Sequence, residues 1–423
     1  MYKKLLLSWL AVMTAATLCA RHISPQEALS RATAASTPGA PFRAPSDEKM
    51  RLTRTVTVRD SLPAVYLFQG ETRALVLPGD DRAVPVLGYT DGTPRGQLPP
   101  QLEWWLQEYA RQIEYLMSQP ESGAGIRLPL SRRNDESPEK APIPPMITTT
   151  WDQLEPYNYF CPEIDGEKTI TGCVATSGAQ IMKYFRFPDG PLSGTISYTD
   201  PNGKDRSLQL DGKTFDWDNM LDSYAGAYTD PQRDAVAFLM QAAGHAAKMD
   251  YGVEASGAFT ENLLINLKKY FGYNSAAQLL RRDNYPPSRW EDMVYDNLRT
   301  VGPMIYEGED TSFGHSFICD GYAPGGFFHF NWGWGGFYNG YFKLSALTPS
   351  QAGTESYVGN LSFWQDGIFN LTRPGAPVID LDPVSPLTLY TNLSATLNED
   401  ASLTFTSAKA GEDNTFIVNV SYE

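Results

Sequence analysis

Residues 118–145 read SQPESGAGIRLPLSRRNDESPEKAPIPP, a polar, proline-rich stretch without a hydrophobic period. A segment of this kind has no apolar face to bury, so it joins no core and leaves the chain on either side to fold separately. Residues 119–145 therefore read as an exposed, protease-sensitive linker. At 423 residues the chain has length for two or three domains around it.

Upstream, residues 21–118 read as a small α+β unit. AVYLF and RALVL have strand composition, and LPGDDRAVPVLGYTDGTP is dense in turn residues. Leu102, Leu106, Tyr109, Ile113 and Leu116 recur at steps of four and three, as along one face of a helix. Residues 1–20 have a basic start at Lys3 and Lys4, an apolar centre and a small-residue end at Ala20. That is the pattern of a cleaved export signal and implies a secreted or cell-surface bacterial protein. No later segment has the length and apolarity of a membrane span.

Downstream, residues 146–373 form a larger unit rich in Trp, Tyr and Gly. DAVAFLMQAAGHAAKM and TENLLINLKKYFGY have helical period, while GPMIYEG, HSFICDGY, FFHFNWGW and GYFKLSAL are short apolar strands. Helices first and antiparallel strands later indicate an α+β fold. Residues 374–423 contain LTLYT, LTFTS and FIVNV, which read as a short all-β extension.

The formal charge of −15 and the lack of a basic block argue against nucleic acid as a partner. There is no G-x-S-x-G, no H-E-x-x-H and no Walker-type loop, and four histidines in total do not suit a His-rich metal site. What remains is cysteine chemistry. With Cys19 inside the export signal, Cys161, Cys173 and Cys319 are left, and an odd set forces at least one free thiol. Cys161, in an aromatic loop, and Cys319, in an apolar strand, read as buried structural thiols. His245 and His329 read as core or surface residues without an assigned role.

Cys173 stands apart. In TITGCVATSGAQIMKYFRFP, Val174, Gly178, Ile181, Met182 and Phe185 recur at helical spacing, with Thr171 as the candidate cap and Pro188 limiting the far end. Cys173 then sits in the first turn, where the positive helix end favours a thiolate and the cysteine's own N–H can help hold an oxyanion. His315, opening a strand behind Gly314, supplies a proton acceptor. Asn331, on the next strand, carries an amide suited to fixing the imidazole tautomer, with Trp332 and Trp334 shielding it from water. A Cys–His pair serves a peptidase or a transglutaminase-like acyl transferase equally well. A non-catalytic surface adhesin would account for the aromatics and the β extension, but not for the free thiol.

Taken together these blocks resemble the streptopain family of papain-like cysteine peptidases. TGCVATSGAQIMKYFRFP is similar to its nucleophile helix, GHSFICDGY to its histidine strand and FHFNWGWGGFYNGYFKLSAL to the strand pair that follows. TTTWDQLEPYN, FDWDNML, MDYG and LKKYFGYN appear in family order. AVPVLGYTDGTP and LPPQLEWWLQEYARQI resemble the family's inhibitory pro-domain. The resemblance implies a papain-like fold with a helical and an antiparallel β subdomain, made as a zymogen and acting on protein or peptide substrates without a cofactor or metal. Residues 21–118 would be the pro-domain and the enzyme's own inhibitor. It makes Cys173 the nucleophile, His315 the general base and later acid, and Gln153 the side-chain donor of the oxyanion hole. Asn331 and Trp332 match the segment that orients the histidine, and Gly314, Ser256 and Trp334 fall where the substrate cleft is lined. It also implies a preference for a bulky apolar residue just before the cleavage-site residue, and hence self-cleavage after Arg127, behind Ile126.

Overall fold

The computed structural model describes residues 22–35, 48–90, 92, 94–118, 140–309, 314–347, 365–381, 393–397 and 403–407. The segment read as an export signal, most of the segment read as a linker, and the LTLYT and FIVNV segments lie outside them.

The N-terminal unit runs α1 (Pro25–Ala35), β1 (Arg51–Thr57), β2 (Pro63–Gln69), β3 (Ala74–Pro78), β4 (Gly88–Thr90) and α2 (Pro100–Ser118). The strands form an antiparallel meander in chain order. Pro100 opens α2 at a position where its fixed φ suits the helix and its missing N–H costs nothing. Leu102, Leu106, Tyr109, Ile113 and Leu116 are all buried, as their spacing requires.

The larger unit starts with a hairpin, β5 (Glu163–Ile164) and β6 (Glu167–Lys168), closed by Asp165 and Gly166 at φ 53° and 84°. This is the Asp-Gly chemistry of a two-residue turn. Next come α3 (Cys173–Phe185), the hairpin β7 (Thr195–Thr199) and β8 (Asp205–Gln209), α4 (Asp230–Ala246) and α5 (Thr260–Phe271). Then follow β9 (Gln278–Arg281), α6 (Pro287–Thr300), β10 (Met304–Glu309), β11 (Gly314–Ala323), β12 (Phe327–Asn331), β13 (Gly340–Lys343) and β14 (Gln365–Phe369). A capping box between Thr229 and Gln232 starts α4, and Gly272 in the left-handed region ends α5. In the C-terminal extension β15 (Leu393–Leu397) pairs with β16 (Leu403–Ser407); LTFTS forms a strand as expected, but its partner is LSATL.

Helices precede strands in the larger unit, giving the expected α+β architecture. The two units, however, do not keep separate cores. One ten-stranded sheet runs β1-β2-β3-β4-β13-β12-β11-β10-β14-β9, joined across the units where β4 pairs antiparallel with β13, Tyr89 opposite Tyr341. Strand alternation sends Ile305, Ile318 and Ile368 to one face, where α3, α4 and α5 cover them. Met304, Tyr306, Phe317, Phe330 and Phe369 go to the other face, which α2 and α6 share. Fully buried Trp105 of α2 meets Phe330 at 5.0 Å and Phe317 at 5.7 Å between ring centroids, both edge-on. The N-terminal unit thus supplies part of the larger unit's own core.

From Lys140 onward the chain is stitched to the larger unit. Lys140 pairs with Asp292 at 2.6 Å, and Ile143 and Tyr322 exchange two backbone hydrogen bonds of 2.8 Å. Ile147 N–H donates to the fully buried carboxylate of Asp320, whose other oxygen lies 2.5 Å from His329 Nδ1. His329 therefore helps hold the chain just downstream of the linker.

Candidate active site

Cys173 is the first residue of α3, as the spacing predicts, but its cap differs. Gly172 occupies the cap position at φ 84°, and Thr171 turns its hydroxyl to Thr176 at 2.9 Å instead. Space explains the glycine. A Cβ there would lie 2.7 Å from Met249 Cε and 3.1 Å from the Ser256 carbonyl oxygen, in a backbone conformation that side chains disfavour.

The backbone N–H groups of Ser316 and Val174, and the cysteine's own, act on the Cys173 sulfur in favour of the thiolate. Burial outweighs them, with the nearby Glu307 carboxylate acting in the same direction, and the thiol sits above its ordinary value. The expected depression by the helix end is thus overridden by packing against β11. Ser316 fixes that packing: its hydroxyl meets Ser177 Oγ of α3 at 2.7 Å. The two other thiols are free and buried; desolvation pushes Cys161 to about 12 and Cys319 well above a normal thiol, so both are inert, as their settings suggested.

His315 is the residue before Ser316 on β11, beside exposed Gly314. Alternation gives Ser316 and Ile318 to the α3 face and assigns His315, with Phe317 and Cys319, to the α2 face. No hydrogen bond joins Cys173 to His315 among the described residues. Directly across the ladder His315 faces Gly308, and the indole of Trp104 from α2 fills the space where a Gly308 side chain would be, 2.0 Å from an ideal Cβ. An indole of the N-terminal unit thus lies beside the histidine.

Gln153 is buried, and its carbonyl accepts the N–H of Thr171 at 3.1 Å, which ties its loop to the approach to Cys173. Asn331 is held elsewhere than expected: its amide donates to Thr149 O at 2.9 Å and approaches Gln180, and its oxygen accepts Gly333 N–H at 3.0 Å. It braces the loop before Gln153 against α3, and His315 is not among its partners. Trp332 is fully buried and donates its indole N–H to Tyr338 O, while Trp334 is half-buried against the same aromatic core. The Ser256 hydroxyl bonds Ile170 O and the Gly252 backbone, so Ser256 offers its backbone, not its side chain, to the Gly172 approach.

A cavity of about 290 Å³ is lined by Gly92 and Arg95 of the N-terminal unit and by Thr150 and residues 335–339 of the larger one. Among the described residues no group of three or more His, Cys, Asp or Glu could hold a metal ion, and no helix is long and apolar enough to cross a membrane.

Sequence reasoning passed over Trp104 and Glu307. Signals for both were present. Adjacent Trp104 and Trp105 cannot share one narrow helix face, so burying both needs a broad apolar face on α2. Glu307 is an acid at a position of β10 that alternation places on the Ile305 face.

The peptidase C10 family model matches residues 151–342, a span that holds Gln153, Cys173, His315 and Asn331. A solved fragment of prointerpain A from Prevotella intermedia superposes with a TM-score of 0.63 at 31% identity, covering 77% of this chain and 99% of that one. The chain belongs to the peptidase C10 family. It is a cysteine peptidase of α+β, papain-like fold, and the match to a pro-form reaches beyond the family span. Among curated relatives it is 29% identical to the thiol protease/hemagglutinin PrtT of Porphyromonas gingivalis and 29% identical to streptopain of Streptococcus pyogenes. The alignments take in 75% and 73% of this chain, but 37% of the first relative and 80% of the second.

Proposed function

We propose that this peptidase is an exported zymogen, with residues 21–118 as the inhibitory pro-domain and Cys173, His315 and Gln153 as the catalytic set of the released endopeptidase. The observation that carries this reading is the placement around β11: Cys173 rests on the Ser316 backbone while the neighbouring His315 belongs to the opposite face, beside Trp104 of α2. Removal of α2 frees the space in which the first residues of β11 can turn the imidazole toward the thiol. His315 then takes the Cys173 proton and the thiolate attacks the peptide carbonyl. The Gln153 amide and the Cys173 N–H hold the tetrahedral oxyanion, and His315 protonates the departing amine. Water then hydrolyses the thioester, with His315 as base. Asn331 and Trp332 act through the strand that carries them, by fixing the Thr149 loop and the aromatic layer behind β11. Gly314 and the Ser256 and Trp334 segments border the substrate path, which by family likeness takes a bulky apolar residue just before the cleavage-site residue.

The test is casein hydrolysis by the purified full-length chain with a thiol reductant, beside Cys173→Ala. Activity and shortening toward residues 140–423 are expected in the parent and absent in the variant. Mass spectrometry of the new N-terminus locates the cut, expected after Arg127. Casein hydrolysis that persists in Cys173→Ala overturns the reading.

A further inference from the structure

The loop that carries Gln153 is fixed on both sides of that residue. Upstream, Trp151 donates its indole N–H to Leu221 O at 2.9 Å, and its carbonyl accepts the N–H of Gly335 at 3.1 Å. The carbonyl of Gln153 is tied to Thr171, shortly before Cys173. Across Gln153 itself, one carboxylate oxygen of Asp152 accepts the backbone N–H of Leu154 at 2.8 Å. A carboxylate that bonds the N–H two positions on closes a ring around the residue between them and restrains that residue's φ and ψ. The other oxygen lies 3.6 Å from where a Gly335 side chain would begin, which sets the carboxylate against the glycine loop. Asp152 is half-buried while Leu154 is 58% exposed, so water competes for the Leu154 N–H wherever a local acceptor does not take it. Gln153 is 6% exposed, and among the described residues its side-chain amide makes no hydrogen bond, so the direction of that amide is set by the backbone that Asp152 restrains. A donor that is to meet developing charge has to be aimed before the charge appears.

We infer that Asp152 is a positioning residue for the proposed oxyanion site: by holding Leu154 it aims the Gln153 side-chain amide at the carbonyl that Cys173 attacks. The inference rests on the peptidase reading above, in which Gln153 is the side-chain donor. Asp152 touches no substrate and moves no proton; it acts through Gln153. What the position needs is an acceptor oxygen at the right reach from the backbone, and the charge is incidental. Asparagine keeps that oxygen and loses the charge, whereas glutamate keeps the charge on a longer stem that does not close the same ring.

The experiment uses the full chain cut in the linker by an added protease under reductant, so that slow variants need not activate themselves. It reads kcat and KM on a fluorogenic peptide with a bulky apolar residue just before the cleavage-site residue, together with the rate at which iodoacetamide alkylates Cys173. Alkylation displaces iodide from a saturated carbon and forms no oxyanion, so it reports the thiol without the Gln153 site. Asp152→Ala and Asp152→Glu are each expected to lower kcat about tenfold, the worth of one lost hydrogen bond, with KM and the alkylation rate within about twofold of the parent's. Asp152→Asn should keep kcat within about twofold. Gln153→Ala is expected to lower kcat about a hundredfold, and adding Asp152→Ala to it should cost less than about twofold more. Parental kcat in Asp152→Ala overturns the assignment, and so does an undiminished loss from Asp152→Ala on the Gln153→Ala background. Should the alanine variant fail to fold, the other two decide: full activity in Asp152→Glu, or a loss in Asp152→Asn, overturns it equally. Gln153→Ala separates the two levels of the argument. If it is impaired while Asp152→Ala is not, only the positioning role fails; if it matches the parent while Cys173→Ala is inactive, the oxyanion reading fails with it.

Discussion

At the scale of single residues, the site depends on one position without a side chain. Gly172 holds a positive φ against Met249 and the Ser256 carbonyl, and Cys173, the proposed nucleophile, follows it directly. Gly172→Ala is expected to lose about 1–3 kcal/mol of stability from backbone strain and crowding, read as a lowered midpoint in urea, and to cut kcat more than it raises KM. An unchanged midpoint and kcat would show that the loop yields at no cost. The residues proposed for the chemistry, Cys173, His315 and Gln153, were picked out in the sequence because they lie in blocks whose spacing and composition announce a helix start, a strand start and a loop. Their state was not. The thiol's upward shift arises from burial, with Glu307 from far along the chain adding to it, and the partners of Asn331 are Thr149 and Gln180, which no local pattern connects to it.

Among the elements, α2 both fills a core and senses pH. Glu108 is buried on this helix against Arg111 and Gln112, within the field of Arg282 from the larger unit, and burial raises it to about 6 from an ordinary 4.5. A carboxyl raised in the docked state holds its proton more tightly there than in water, so docking is fully favoured below the lower value and weakens as pH rises through about 6. The change is worth about 2 kcal/mol at most. In Cys173→Ala protein cut in the linker by an added protease, α2 should separate more readily at pH 7.5 than at pH 5, followed by Trp fluorescence and size exclusion. Glu108→Gln should flatten that dependence; a steeper release at acid pH in the parent would contradict it. Helices α2 to α5 could be read from period because each buries a regular stripe, whereas α1 and α6 were not read. The junction of β4 with β13 could not, since Gly88, Tyr89 and Thr90 are too few to show a period and their partners lie some 250 residues away.

Over the whole molecule, a single sheet crosses from the N-terminal unit into the peptidase, and the chain beyond residue 139 is fastened to the peptidase whatever happens upstream. Cutting the linker therefore breaks the covalent join and leaves the described contacts between the two units in place. The cut zymogen should still hold its inhibitor until β4 unpairs from β13 and Trp105 leaves the aromatic layer together, a unimolecular event with its own barrier. Progress curves should then show a lag after scission whose length does not change with enzyme concentration, whereas a delay limited by cleavage between molecules shortens as concentration rises. The shared sheet would in this way act as a clock, setting an interval between the cut and the first digestion.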